Sequence, residues 1–159
     1  MEYAAKYETS LEGLVLISVY TDYKPQNTFA FLKTGLPPKN QIDANKWYME
    51  NIDAFLGGYF YNTQAKNIFS NTVTSYSVSA HVGGAKNDIS TMVRGLDIPT
   101  LILVGEKNEH PLTTIDTAQK LNRLFLNSEL QQIKNCGHFM FAEAPIDFQN
   151  IVLNWIKQY

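Results

Sequence analysis

Two apolar runs of strand length constrain this chain more than any other feature. They are Leu14-Val15-Leu16-Ile17-Ser18-Val19 and Thr100-Leu101-Ile102-Leu103-Val104-Gly105. A strand with one wet face alternates apolar and polar residues. A strand that is apolar almost throughout has both faces covered, which is the condition of a parallel strand with helices on either side.

The elements around the second run are legible. Pro99 precedes it, and Pro111 with Thr113-Thr114 announces a helix reaching about Phe125. Ile115, Ala118, Leu121, Leu124 and Phe125 form that helix's apolar face. A third, shorter strand fits residues 129–134. Pro145 stands at a helix start, where its missing N–H costs little. Beyond it Phe148, Ile151, Val152, Trp155 and Ile156 share one helical face. Strand, helix, strand, helix is a βαβ unit, with a right-handed crossover expected. The fold class is therefore α/β, with a parallel sheet and helices on its faces. Sites in such sheets lie just beyond the carboxyl ends of the strands, which singles out residues 105–111 and 135–139.

Residues 24–87 have a different character. Pro25, Pro37 and Pro38 break the first part into short pieces. Between 42 and 60, Trp47, Tyr48, Ile52, Phe55, Leu56 and Tyr59 recur at three- and four-residue steps, a helical pattern, with a break expected near Gly57-Gly58. Residues 72–81 fit a strand or a loop equally well. The first seven residues are good helix formers.

Composition removes several classes of function. The chain has 159 residues, enough for one domain with a real core, and a formal net charge of -2. No basic footprint for nucleic acid stands out. The longest apolar runs are far short of a membrane span. The single cysteine, Cys136, cannot form an internal disulfide, and no signal-peptide pattern opens the sequence. Together these features point to a soluble, cytoplasmic protein that binds neither nucleic acid nor membrane.

The two loops carry a resemblance. Ile98-Pro99-Thr100-Leu101-Ile102-Leu103-Val104-Gly105-Glu106-Lys107 looks like the penultimate core strand of an α/β-hydrolase, and Asn135-Cys136-Gly137-His138-Phe139 looks like its histidine loop. Glu143-Ala144-Pro145 and the last helix resemble the family's ending. Residues 1–7 and then Gly13-Leu14-Val15-Leu16-Ile17-Ser18 are similar to the helix after the nucleophile and the strand that follows it. The resemblance implies that 1–23 and 88–159 form the C-terminal part of the core. It places a mainly helical cap in 24–87.

What the resemblance implies about chemistry is specific. The family uses Ser, Asp or Glu, and His, in that chain order. His138 matches the histidine, the general base and acid. No nucleophile matches, because no serine here stands in Gly-x-Ser-x-Gly. Where the family has Gly-Glu-x-Asp, this chain has Gly105-Glu106-Lys107-Asn108. Asparagine can orient an imidazole, but it brings no charge to an imidazolium. The same Asp-to-Asn change in serine proteases costs about 10⁴ in rate. Glu109 and Asp22 are alternative acids. Cys136 reads as a packing residue. A metal site from His81, His110, Cys136 and His138 matches no zinc spacing, and no cofactor is implied. Trp47, Tyr48, Phe55, Tyr59 and Phe60 either line an acyl pocket or pack the cap.

Two functions follow as expectations. In the first, the chain is a truncated serine hydrolase that by resemblance hydrolyses an ester, amide or similar bond, its substrate an ester-like or apolar small molecule. It lacks the nucleophile, and is inactive alone or completed by an N-terminal partner chain. In the second it is a non-catalytic remnant or a binding module. In both, the strand at 14–19 would lie at an open sheet edge, inviting self-association or a partner.

Overall fold

The computed structural model describes residues 1–20, 38, 40–72, 89–110 and 113–159. Asp22, Pro25, Pro37, His81 and most of the 72–81 stretch lie outside these residues.

Among these residues the core is a three-stranded sheet in the order β1 (Leu14–Ile17), β2 (Thr100–Gly105), β3 (Ser128–Ile133), with both pairs parallel. Leu16 stands opposite Ile102, and Ile102 opposite Leu130. All six residues of β2 are buried. Its side chains divide between two clusters. Ile102 and Val104 join Leu16, Val93, Ala118, Leu121 and Phe125 on one side. Leu101 and Leu103 join Ile133, Cys136, Met140 and Trp155 on the other. This division explains the missing alternation: each residue meets a hydrophobic layer whichever way it points. Burying one such Leu or Ile is worth about 1.5–3 kcal/mol.

Helices supply the two layers. The first contains α1 (Glu2–Lys6), α5 (Ile89–Val93) and α6 (Ile115–Asn122). The second contains α7 (Met140–Glu143) and α8 (Pro145–Ile156). Thr114 caps α6 by accepting from the Thr117 N–H, and Pro145 opens α8. The α/β class read from the sequence, a parallel sheet with helices on its faces, is thus the one observed.

A third cluster lies apart from the sheet. It is built on α2 (Gln41–Glu50), α3 (Ile52–Gly57) and α4 (Thr63–Ser70). Ala44, Tyr48, Phe55, Leu56, Tyr59 and Phe60 are its buried centre, with Trp47, Phe69 and Phe139 packed against them.

Several boundaries differ from the sequence reading, among them β3, which spans Ser128–Ile133 rather than 129–134. The pattern at 42–60 is two helices, because Asn51 interrupts it: its Nδ2 donates to the Trp47 carbonyl at 2.8 Å, and its backbone N–H reaches Trp47 and Tyr48. Such a local bond competes with continuing the helix. The first strand stops at Ile17, since Ser18 has φ 47° and leaves the extended region. The helix expected to run to Phe125 ends at Asn122. Among the described residues, no helix is long and apolar enough to cross a membrane.

Candidate active site

The loops following β1, β2 and β3 meet at the carboxyl end of the sheet. The loop after β3 turns at Asn135, whose φ is 55°. Its N–H donates to Glu106 Oε2 at 3.1 Å. That bond is the largest influence holding the Glu106 carboxyl below its ordinary value. The Lys107 N–H donates to the Cys136 carbonyl at 2.9 Å, so the loops after β2 and β3 are laced together along their backbones.

Cys136 is fully buried, and its thiol donates to the Ile133 carbonyl at 3.3 Å. Burial, with a smaller contribution from the Glu143 charge, pushes the thiol up to about 12. A thiol held protonated is a poor nucleophile, which fits packing rather than chemistry.

His138 is held at three points. Its N–H donates to the Tyr59 carbonyl at 2.6 Å, and its carbonyl accepts from Ser18 Oγ at 3.0 Å. The left-handed backbone at Ser18 therefore sits where the hydroxyl reaches the histidine loop. The third point is the ring: Nδ1 lies 3.0 Å from Thr113 Oγ1. Tyr59, Phe139 and His110 surround the imidazole, with ring centroids 5.0, 5.0 and 5.1 Å away. Burial among these groups, with His110 adding to it, pushes His138 down to about 3.

Asn108, in the position of the family's acid, reaches His138 through an intermediary. Its Nδ2 donates to the Thr113 carbonyl at 2.7 Å and to Thr113 Oγ1 at 3.0 Å, while its Oδ1 accepts from the His110 N–H at 3.1 Å. Thr113 is buried and stands between Asn108 and the imidazole. Glu109 belongs to the same loop but is exposed. Asp22, the other alternative acid, lies outside the described residues. The structure thus brings together His138 and Asn108, and adds Thr113 and Ser18, which the sequence did not mark, and His110, which the sequence grouped with His138 only as a metal set of the wrong spacing. Among the described residues, no group of three or more His, Cys, Asp and Glu side chains assembles as a metal site.

Glu143 closes the arrangement. Its Oε1 accepts from the Gly137 N–H at 2.7 Å, and its Oε2 from the N–H groups of Tyr61 and Asn62 at 2.8 and 2.7 Å. One carboxylate thus ties the histidine loop to the helical cluster. Tyr48, Phe55, Tyr59 and Phe60 are buried in that cluster against one another, so they pack it. Tyr59 alone of these four also meets the His138 ring edge-on.

A parallel sheet with a histidine loop at its carboxyl end, covered by helices on both faces, defines the fold as that of the α/β-hydrolases. Solved structures agree. A thermophilic esterase from Thermogutta terrifontis superposes with a TM-score of 0.74 at 17% identity, over 98% of this chain and 59% of the esterase. A meta-cleavage product hydrolase from Pseudomonas fluorescens superposes at 0.67 with 14% identity, over 98% of this chain and 59% of that one. Among curated proteins, 2-hydroxy-6-oxo-6-(2'-aminophenyl)hexa-2,4-dienoic acid hydrolase from Metapseudomonas resinovorans is 24% identical over 146 residues. That match covers 92% of this chain and 49% of the relative, so the chain spans about half the length of the curated relative. No protein-family model matches the chain. At these identities the likeness establishes the fold.

Proposed function

We propose that this chain is the base-bearing part of an α/β-hydrolase that cleaves an ester, amide or similar bond in a small molecule. The carrying observation is His138, held by Ser18, Tyr59 and Thr113 at the carboxyl end of the sheet. In this reading His138 is the general base, residues 24–87 are the cap, and the nucleophile comes from a segment outside this sequence. The strands support the missing neighbour. β3 forms one edge with the polar sequence Ser-Glu-Leu-Gln-Gln-Ile, whereas β1 forms the other with Leu-Val-Leu-Ile. Edges are normally blunted by polar residues, so among the described residues β1 has an interior strand's composition at an edge position, which favours a further strand beside it.

A second reading, a non-catalytic binding module, draws on one observation. The group at Nδ1 of His138 is a threonine hydroxyl, which brings no charge to an imidazolium. Hydrolysis of a short-chain p-nitrophenyl ester separates the two. The experiment measures the chain and His138→Ala, alone and joined to a preceding hydrolase segment carrying Gly-x-Ser-x-Gly. His138-dependent hydrolysis only in the joined form is the expected result. Hydrolysis by the chain alone, lost in His138→Ala, would place the nucleophile within this sequence. A joined form that folds but is indifferent to His138 would leave the binding module.

A further inference from the structure

The Thr113 hydroxyl is touched from three sides, and it has one hydrogen to give and two lone pairs. One lone pair is committed. Asn108 is fixed in orientation at both ends, because its Oδ1 faces a backbone N–H of His110 and its Nδ2 faces the Thr113 carbonyl. Its Nδ2–H therefore also points at Thr113 Oγ1, 3.0 Å away. The remaining lone pair and the hydrogen serve two imidazole nitrogens: His138 Nδ1 at 3.0 Å and His110 Nδ1 at 3.4 Å. A hydroxyl with one lone pair and one hydrogen left can accept from one of these nitrogens and donate to the other.

We infer that Thr113 is a positioning residue standing in for the triad acid: its oxygen accepts the Nδ1–H of His138, its hydrogen turns to His110 Nδ1, and Asn108 fixes its orientation. This rests on the reading of His138 as general base. The distances, 3.0 and 3.4 Å, are compatible with either direction; the direction is chosen by the base role of His138, which needs its Nε2 free of hydrogen. The consequence is a defined tautomer. With its hydrogen on Nδ1, His138 leaves Nε2 bare, and Nε2 is the atom that must accept a proton from a nucleophile's hydroxyl. The threonine thus reproduces one task of the missing carboxylate, orienting the ring and selecting its tautomer, and omits the other, stabilising the imidazolium. His110 is held by the same hydroxyl in the opposite tautomer.

Two-bond ¹H–¹⁵N correlation NMR of the histidine-labelled chain at pH 7 tests this directly. The expected wild-type spectrum shows His138 protonated at Nδ1. Thr113→Ser, which keeps the hydroxyl, retains that signature. Thr113→Val, which keeps the shape, loses it and moves towards the Nε2–H form that free neutral histidine prefers. A wild-type His138 protonated at Nε2 overturns the inference, and so does an unchanged tautomer in Thr113→Val. Should the valine variant not fold, the wild-type and serine spectra decide. Ester hydrolysis plays no part in the readout, so failure of the functional reading and failure of this inference show up separately.

Discussion

Gly105 at the end of β2 lies so close to Gly137 that no side chain fits between them. A Cβ built on Gly105 would fall far inside van der Waals contact with the Gly137 carbonyl oxygen and 2.5 Å from that of Cys136. The obstacle is backbone, which cannot swing aside as a flexible side chain can. Gly105→Ala is expected to lower stability by at least about 1–3 kcal/mol, the usual cost of overpacking. It should also displace the histidine loop from β2. Gly57→Ala is the control, since among the described residues no atom beyond its own helix backbone and chain neighbours lies within 4 Å of the added methyl. Urea unfolding of both variants checks the pair; equal stabilities would show that the loop can move away freely.

Glu143 is expected to matter through its two oxygens rather than through bulk. Glu143→Ala leaves the amides of Gly137, Tyr61 and Asn62 without their shared acceptor. A hydrogen bond to a charged group is worth about 1.5–3 kcal/mol, less at the exposed amides. Hydrogen exchange should therefore accelerate at all three amides, most at Gly137. Protection unchanged at these positions would mean that water or another acceptor replaces the carboxylate.

Cys136 should be chemically silent in the folded chain. With the thiol fully buried and pushed up to about 12, a water-soluble disulfide reagent at pH 8 should titrate almost no thiol until denaturant is added, and then one per chain. Rapid modification of the native protein would contradict the burial.

The pH dependence of stability follows from His138, whose ordinary value is near 6.5 and whose folded value is about 3. Between these values the unfolded chain takes up a proton that the folded chain refuses. The contribution of this group is complete above about pH 6.5 and is lost as pH falls towards 3. Denaturant melts at pH 7 and pH 4 should show the wild type losing more stability than His138→Gln. Parallel losses would mean that the imidazole titrates normally in the fold.

The parts of the fold that depend on composition were readable from the chain. β2 announces burial on both faces because every one of its residues is apolar or small, and α8 announces its buried face by spacing. The loops after β2 and β3 were legible as a pair, and so was the absence of an aspartate at Asn108. Other features depend on geometry that local sequence does not carry. Ser18 matters because its backbone turns left-handed where its hydroxyl meets a carbonyl 120 residues away. Thr113 reads as part of a helix start, and nothing in its neighbourhood says that its hydroxyl faces an imidazole. Asn51 divides a continuous aromatic stripe by a bond to its own backbone, which the hydrophobic period cannot register.

The three amides gathered by Glu143 have a consequence for how the molecule comes apart. The helical cluster has its own hydrophobic centre and shares few residues with the sheet, so on packing alone it could melt as an independent unit. The carboxylate joins that cluster to the loop carrying His138, and the His138 N–H reaches back to Tyr59. Fraying of the cluster is thereby transmitted to the histidine. Partial unfolding should report at His138 before the sheet itself yields, which makes that imidazole a sentinel for the integrity of the whole cluster.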